Sequence, residues 1–96
     1  MKTLVVEDDF TSRQRLVKIL CEYGETDVAV DGKEAVRAVR AAVESKEPYD
    51  LVLLDILMPN MDGHKALTEI RKMELSRGVQ PGDGVKVIMT TSLNDA

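Results

Sequence analysis

Short apolar runs alternate with longer amphipathic segments along the whole chain. The apolar runs cover residues 4–6, 26–30, 51–54 and 85–90, and their length and their content of Val and Ile are typical of strands. The run 51–54 contains no polar residue, as expected for a central strand that helices cover on both faces. We expect the more polar run 26–30 to lie at an edge of the sheet.

The segments between these runs have helical periodicity. Residues 10–23 repeat apolar positions at helical spacing, and Asp31 stands three residues before Glu34, a capping-box-like start for a second helix. A third helix is predicted from Lys65 onward. Residues 76–84 are rich in Gly and Pro and predict a loop before the last run.

This alternation predicts an α/β fold with a parallel sheet and right-handed crossovers. In such a sheet all strands end at the same edge, which is where ligand sites lie. Glu7 and Asp8 follow the first apolar run, and Asp55 follows the third. If these two runs are neighbouring strands, three carboxylates meet at one edge of the sheet.

A cluster of carboxylates constrains the chemistry of this edge. Carboxylates about 4 Å apart repel each other by roughly 4 kcal/mol per pair at an effective dielectric constant near 20, so the cluster requires a cation or protonation. Oxygen ligands favour Mg²⁺ over zinc, and Mg²⁺ is commonly held by one or two carboxylates together with a phosphate. An aspartate oxygen can also attack phosphorus to form an acyl phosphate. The pattern therefore indicates a magnesium and phosphoryl site.

Composition and charge narrow the class of protein further. With 96 residues, 44% of them apolar, the chain has enough material for one small core, and we expect a single domain. The net charge of −4 argues against nucleic acid or a membrane surface as the main partner. Cys21 is the single cysteine, so no internal disulfide forms, and the first apolar run is too short for a signal peptide or a membrane span. We therefore expect a soluble, cytoplasmic protein.

Four motifs occur together in an order and spacing that resemble one family. They are LVVEDD at residues 4–9, DLVLLD at 50–55, MPNMDG at 58–63 and VIMTTS at 87–92. The chain resembles, over essentially its whole length, the receiver domain of two-component response regulators. The resemblance implies a flavodoxin-like parallel sheet with strand order 2-1-3-4.

The resemblance also implies a role for individual residues. Asp55 is the expected phosphoacceptor, Glu7 and Asp8 hold Mg²⁺, the backbone carbonyl of Leu57 is a further metal ligand, and the hydroxyl of Thr91 contacts the phosphoryl group. The donor would be the phosphohistidine of a histidine kinase or of a phosphotransfer protein, and the signal would pass to a downstream protein target. The chain would thus be a phosphoacceptor that assists its own reaction rather than an enzyme.

The C-terminal part of the sequence departs from the family pattern. Receiver domains normally continue through a fourth helix, a fifth strand that ends in lysine and a fifth helix, whereas this sequence stops at Ala96. We therefore expect residues 1–96 to form a truncated receiver domain, or to be part of an ordinary one. Without the lysine, phosphorylation would be slow or absent, and the alternative function is a protein-interaction module that is not phosphorylated. The fourth strand would be an exposed edge, which predicts a homodimer through that edge or through strand exchange.

Two further observations concern the reaction. The resemblance implies that the residues two positions beyond the phosphoacceptor and the threonine influence how water reaches the acyl phosphate. In this sequence they are Leu57 and Leu93, and neither side chain can orient a water, so the acyl phosphate should be lost slowly. A phosphatase of the haloacid dehalogenase type would need an acid in the place of Leu57. No glycine-rich phosphate loop follows the first strand, which argues against a dinucleotide or P-loop enzyme.

Three other residues have simpler interpretations than a role in chemistry. Asp9 precedes the first helix and is expected to cap it rather than to bind metal. His64 is the single histidine, has no partner cluster, and is expected to face solvent. Cys21 is expected to be an inert thiol in the core or at its boundary.

Overall fold

The computed structural model describes residues 1–56, 61–80 and 82–90 of the chain. Four strands and three α-helices alternate, and a short 3₁₀ turn (Cys21–Tyr23) follows the first helix. The elements are β1 (Thr3–Val6), α1 (Phe10–Leu20), β2 (Thr26–Ala29), α2 (Gly32–Glu44), β3 (Leu51–Asp55), α3 (Gly63–Ser76) and β4 (Lys86–Thr90). All strand pairs are parallel and the order is β2-β1-β3-β4, which confirms the predicted fold and strand order.

Each α-helix begins after an aspartate that caps it. The aspartate side chain accepts a hydrogen bond from a backbone N–H three residues further on, which satisfies one of the donors that a helix N-terminus leaves open. The caps are Asp9 with Ser12 at 2.8 Å, Asp31 with Glu34 at 2.9 Å, and Asp62 with Lys65 at 2.9 Å. The predicted role of Asp9 is confirmed, and α3 begins two residues earlier than the predicted start at Lys65.

The main core lies between one face of the sheet and the helices α2 and α3. Side chains alternate between the two faces of a strand, and the central strands supply four fully buried side chains to this face. These are Leu4, Val6, Val52 and Leu54. The helices contribute a buried stripe from α2 and three buried side chains from α3: Ala35, Val36, Val39, Ala42, Ala66, Ile70 and Met73.

Helix α1 contacts β1 and β2 and covers the opposite face of the sheet, because right-handed crossovers that run in opposite directions place their helices on opposite faces. No residue of α1 is buried. The sequence predicted one helix through Tyr23, with Cys21 near its inward stripe. This was wrong: α1 ends at Leu20, the chain turns into a 3₁₀ geometry that breaks the helical register, and both Cys21 and Tyr23 are exposed.

None of the helices in the described ranges combines the length and the apolar character needed to span a lipid bilayer.

Candidate functional site

The carboxyl edge of the sheet brings Glu7, Asp8 and Asp55 together. Strands β1 and β3 are adjacent and in register, with Val6 opposite Leu54, so the residues that follow in each chain segment meet at this edge. One carboxylate oxygen from each of the three residues lies within 4.8 Å of the others. The structure therefore places the predicted acidic residues of two distant segments in one cluster.

The three carboxylates differ in their access to solvent. Asp55 ends β3 and is fully buried, Glu7 is 3% exposed, and Asp8 is exposed. The cluster therefore combines two buried acids with one acid that is in contact with solvent.

The environment of Glu7 shifts its titration towards neutral pH. Burial is the largest cause, and the charges of Asp55 and Asp8 act in the same direction, so the pKa of Glu7 rises from 4.5 to about 7. The backbone N–H of Asp9 donates to Glu7 Oε1 at 3.1 Å and partly opposes this rise of the pKa. In the absence of a cation the cluster therefore holds a proton at Glu7 through much of the range below neutral pH.

The backbone around the cluster is held by contacts that sequence reasoning missed. The guanidinium of Arg13 donates to the carbonyl oxygen of Glu7 at 3.1 Å, so α1 fixes the exit of β1. Arg13 lies four residues after the cap Asp9, and a side chain at that position extends back over the first turn of the helix. The spacing from the predicted cap could therefore have identified this contact from the sequence.

Gly63 fixes the other half of the site. Its N–H donates to the carbonyl of Ile56 at 3.0 Å, and a Cβ at this position would lie 2.7 Å from the carbonyl oxygen of Asp55. The start of α3 therefore packs directly on the exit of β3, which only glycine permits. At the start of α2, a Cβ on Gly32 would overlap the backbone of Met61, so Met61, two residues before α3, lies directly against the start of α2.

The donor set fits a hard divalent cation. All three side chains offer oxygen, two of them are buried within a cluster of like charge, and the third is open to water. Mg²⁺ takes oxygen ligands at about 2.0–2.1 Å and retains several waters, which matches a cluster in which carboxylates bind directly or through a water. The same cluster without a cation needs a proton, as the raised pKa of Glu7 indicates.

Several predicted residues lie outside the described part of the chain. These are Leu57, Thr91 and Leu93. Thr90, the last residue of β4, is the register partner of Asp55, so β4 leads towards the acidic cluster. His64 is exposed, as predicted.

A four-stranded parallel sheet in the order 2-1-3-4, with an acidic cluster at the carboxyl ends of its two central strands, defines a flavodoxin-like receiver fold. Residues 3–96 match the family model of the response regulator receiver domain. The chain belongs to this family and is a receiver domain of two-component systems, homologous to the receiver domains of histidine kinases.

Relatives with this domain occur in plants and bacteria. The chain is 38% identical over 89 residues to histidine kinase CKI1 of Arabidopsis thaliana, covering 82% of this chain and 8% of the kinase. It is 44% identical over 70 residues to the response regulator protein FleR of Pseudomonas aeruginosa, covering 73% of this chain and 14% of that protein. The chain thus spans only a small part of these relatives.

Solved structures show the same fold. The receiver domain of CKI1 complexed with Mg²⁺ and BeF₃⁻ superposes with a TM-score of 0.80 at 35% identity, covering 94% of this chain and 64% of that chain. The CheX-CheY-BeF₃-Mg²⁺ complex from Borrelia burgdorferi gives a TM-score of 0.74 at 33% identity, covering 97% of this chain and 63% of that chain.

Proposed function

We propose that Asp55 accepts a phosphoryl group from the phosphohistidine of a histidine kinase or of a phosphotransfer protein, with Mg²⁺ held by Glu7, Asp8 and Asp55. The observation that carries this proposal is the convergence of three carboxylate oxygens within 4.8 Å at the carboxyl edge of the sheet. A structural role explains such a cluster poorly, because carboxylates at this separation repel each other when they are all ionised.

The proposed transfer is a nucleophilic substitution at phosphorus. A carboxylate oxygen of Asp55 attacks the phosphorus atom, the bond between phosphorus and the histidine nitrogen breaks, and the imidazole leaves with that electron pair. Bound Mg²⁺ would supply positive charge to the transferring group. Because Asp55 ends a central strand and is fully buried, its carboxylate is held in one position, which reduces the entropy lost on reaching the transition state.

Two neighbours of Asp55 have distinct proposed tasks. Asp8 is exposed, and we expect it to be the first carboxylate that an arriving cation contacts. Glu7 is buried and holds a proton near neutral pH, so we expect it to release that proton when the cation binds and to act through a bound water. The hydroxyl of Thr91 and the backbone carbonyl of Leu57 complete the proposed site.

Two similar proteins have been solved with Mg²⁺ and BeF₃⁻ bound, which supports this proposal. They are the CKI1 receiver domain and the Borrelia CheY. These complexes favour a site for Mg²⁺ and a phosphoryl group in this chain. We further propose that the chain is a cytoplasmic phosphoacceptor that assists its own chemistry and passes the signal to a downstream protein, rather than an enzyme that turns over a separate substrate.

Mass spectrometry after incubation with acetyl phosphate and Mg²⁺ tests the proposal. We expect an adduct of about 80 Da on the parent chain and none on Asp55→Asn. The matched control is Asp83→Asn, which removes an exposed aspartate far along the chain from the cluster and should keep the adduct. An unlabelled parent that still binds Mg²⁺ by calorimetry would overturn phosphoryl transfer and favour the non-phosphorylated interaction module.

A further inference from the structure

A groove lies between the C-terminal halves of α2 and α3, on the side of these helices that faces solvent. It has a volume of about 380 Å³. The residues that line it are Arg40, Glu69, Lys72, Met73, Ser76 and Arg77. Arg37 and Glu44 lie three residues before and four residues after Arg40, and therefore on the same side of α2. We refer to the surface formed by these eight residues as the basic groove.

The basic groove is separate from the acidic cluster and from the β4 edge of the sheet. Helix α2 begins at Gly32, and Arg40 follows eight residues later, roughly 12 Å along the helix axis. Helix α2 contacts β1 and β2, whereas β4 is at the opposite edge of the sheet. A segment that follows β4 would pack beyond α3, on the side away from α2, and would not line the basic groove.

The charge of the basic groove is opposite to that of the whole chain. The groove contains four cations, Arg37, Arg40, Lys72 and Arg77, and two carboxylates, Glu44 and Glu69, which gives a net charge of +2. The chain has a net charge of −4, so the remainder carries −6. An anionic partner is therefore repelled by most of the molecule and attracted to this surface.

The groove ends where its charges are balanced. Lys33 and Lys65 continue the same sides of α2 and α3 towards the carboxyl edge of the sheet. The helix caps Asp31 and Asp62 lie close to these lysines in the chain, so this upper part has no net charge. The excess of cations is therefore confined to the C-terminal halves of the two helices.

Most of the cations in the groove are available to a partner. Arg37 and Arg40 are exposed, and neither forms an ion pair within the described ranges. The side chain of Lys72 is 70% exposed, and its ammonium lies 3.9 Å from Glu69, a separation that contributes little. Arg77 is different, because it donates to the carboxylate of Glu44. Two guanidinium groups and one ammonium group thus remain without a strong partner.

We propose that the basic groove binds an extended acidic segment of a partner protein. Packed helices have axes about 8–10 Å apart, and one extended chain can lie along the groove between them. Such a chain directs alternate side chains to opposite sides, so consecutive carboxylates face Arg37 and Arg40 on the α2 side and Lys72 on the α3 side. A guanidinium can bind a carboxylate through two parallel hydrogen bonds, which favours the two arginines as the main contacts.

A polypeptide fits this surface better than a nucleic acid or a lipid surface does. Glu44 and Glu69 lie among the cations and repel a dense array of phosphates, whereas the backbone N–H groups of a polypeptide can donate to them. A duplex or a membrane also presents its negative charge over a wide area, most of which would face the acidic remainder of this molecule. The interaction does not depend on the proposed function, and a segment bound here leaves the acidic cluster open.

Fluorescence anisotropy with a labelled peptide that contains a run of glutamates tests the groove on the full 96-residue chain. An exposed ion pair contributes a factor of roughly 1.5 to 5 in affinity. The double variant Arg40→Glu/Lys72→Glu loses two such pairs and adds repulsion, so it should bind the peptide at low salt about tenfold more weakly than the parent. Arg40→Gln/Lys72→Gln, which removes the charges without reversing them, should lose about two- to fivefold.

The matched control is Arg15→Glu/Lys18→Glu. It reverses two exposed cations of α1 and changes the net charge by the same amount as Arg40→Glu/Lys72→Glu, but it should weaken binding by less than about twofold because distant exposed charges are screened. Equal losses in the two charge-reversed variants would show a response to net charge alone and would overturn the proposal. Absence of binding by the parent at low salt would overturn it as well.

Nuclear magnetic resonance of the isotopically labelled chain locates the peptide. We expect the largest changes in amide chemical shift in the C-terminal halves of α2 and α3. Changes centred on another surface would refute the groove as the site. A peptide with Gln in place of each Glu should bind far more weakly, and equal binding would exclude charge as its basis. Tighter binding of the groove to phosphatidylserine vesicles or to a DNA duplex than to the peptide would overturn the choice of partner.

The groove and the proposed function can fail independently. Asp55→Asn should lose the phosphoryl adduct and bind the acidic peptide with the affinity of the parent. Arg40→Glu/Lys72→Glu should keep the adduct, because neither residue belongs to the acidic cluster, and should lose the peptide. Loss of peptide binding in Asp55→Asn would place the peptide at the acidic edge and contradict a separate groove.

Discussion

Glu7 shows how a single side chain responds to its position in the cluster. It leaves the end of β1 with two other carboxylates nearby and almost no solvent contact, and burial, followed by the charges of Asp55 and Asp8, raises its pKa to about 7. Proton and metal ion are therefore alternative ways to neutralise the same repulsion. This competition makes the stability of the metal-free domain depend on pH.

Metal-free protein should lose stability as the pH rises from about 4.5 to about 7. In this range the folded state keeps a proton on Glu7 that the unfolded chain has released, so the folded state binds more protons and the free energy of unfolding falls with pH. A shift of this size corresponds to at most about 3 kcal/mol. Urea unfolding in the presence of a chelator, at several pH values across this range, measures the effect.

Glu7→Gln is the matched variant for this experiment, because it keeps the shape of the side chain and cannot ionise. Its free energy of unfolding should change much less over the same pH range. A parent domain whose stability is constant or rises between these pH values would contradict the assignment of the proton to Glu7.

At the scale of elements, Glu74 connects α3 to β4. Its side chain is buried in the last part of α3, 4% exposed, and each of its two oxygens has a partner. Oε1 accepts from the Arg71 guanidinium and Oε2 from the backbone N–H of Val85, both at 2.8 Å. A Cβ on Gly84 would overlap this carboxylate. The loop therefore closes on the helix through one acid, which sets where β4 begins.

Glu74→Gln should destabilise the domain by about 1–3 kcal/mol, because the amide offers one acceptor oxygen where the carboxylate serves two donors, the buried N–H of Val85 and the partly exposed guanidinium of Arg71, and the ion pair with Arg71 is lost. Glu69→Gln is the control: Glu69 is on the same helix, less buried, and forms only a surface ion pair with Lys72 at 3.9 Å, which contributes little. Chemical denaturation of both variants measures the difference. Equal stability of the two variants would show that Glu74 does not hold the loop.

The sequence predicted the elements whose pattern is local and periodic. The parallel sheet followed from the alternation of strands and helices, whereas its strand order followed from the resemblance to receiver domains. The convergence of Glu7, Asp8 and Asp55 followed from their places after two strands that were expected to be neighbours. The end of α1 was mispredicted because the apolar spacing continues into Cys21–Tyr23, where the backbone has already left the α-helical register. The role of Glu74 could not be assigned, since one of its partners is the backbone N–H of Val85, which only the folded chain brings near.

At the scale of the whole molecule, the acidic cluster is attached to the most stable part of the fold. Strands β1 and β3 are the two central strands, and their core-facing side chains are fully buried. Moving the carboxylates apart requires separation of these strands, which amounts to unfolding the domain rather than to a local opening. A ligand that binds the cluster should consequently stabilise the molecule as a whole.

Mg²⁺ should therefore raise the free energy of unfolding of the domain, and more so at about pH 8 than at about pH 6. A ligand that binds only the folded state at about one hundred times its dissociation constant adds about 2.7 kcal/mol. At the lower pH the ion must first displace the proton of Glu7, whose pKa is about 7, so its apparent affinity falls. Urea unfolding with and without Mg²⁺ at both pH values measures the gain. Asp8→Asn should lose most of this gain and Asp83→Asn should keep it, whereas an equal gain in both variants would place the ion elsewhere on the molecule.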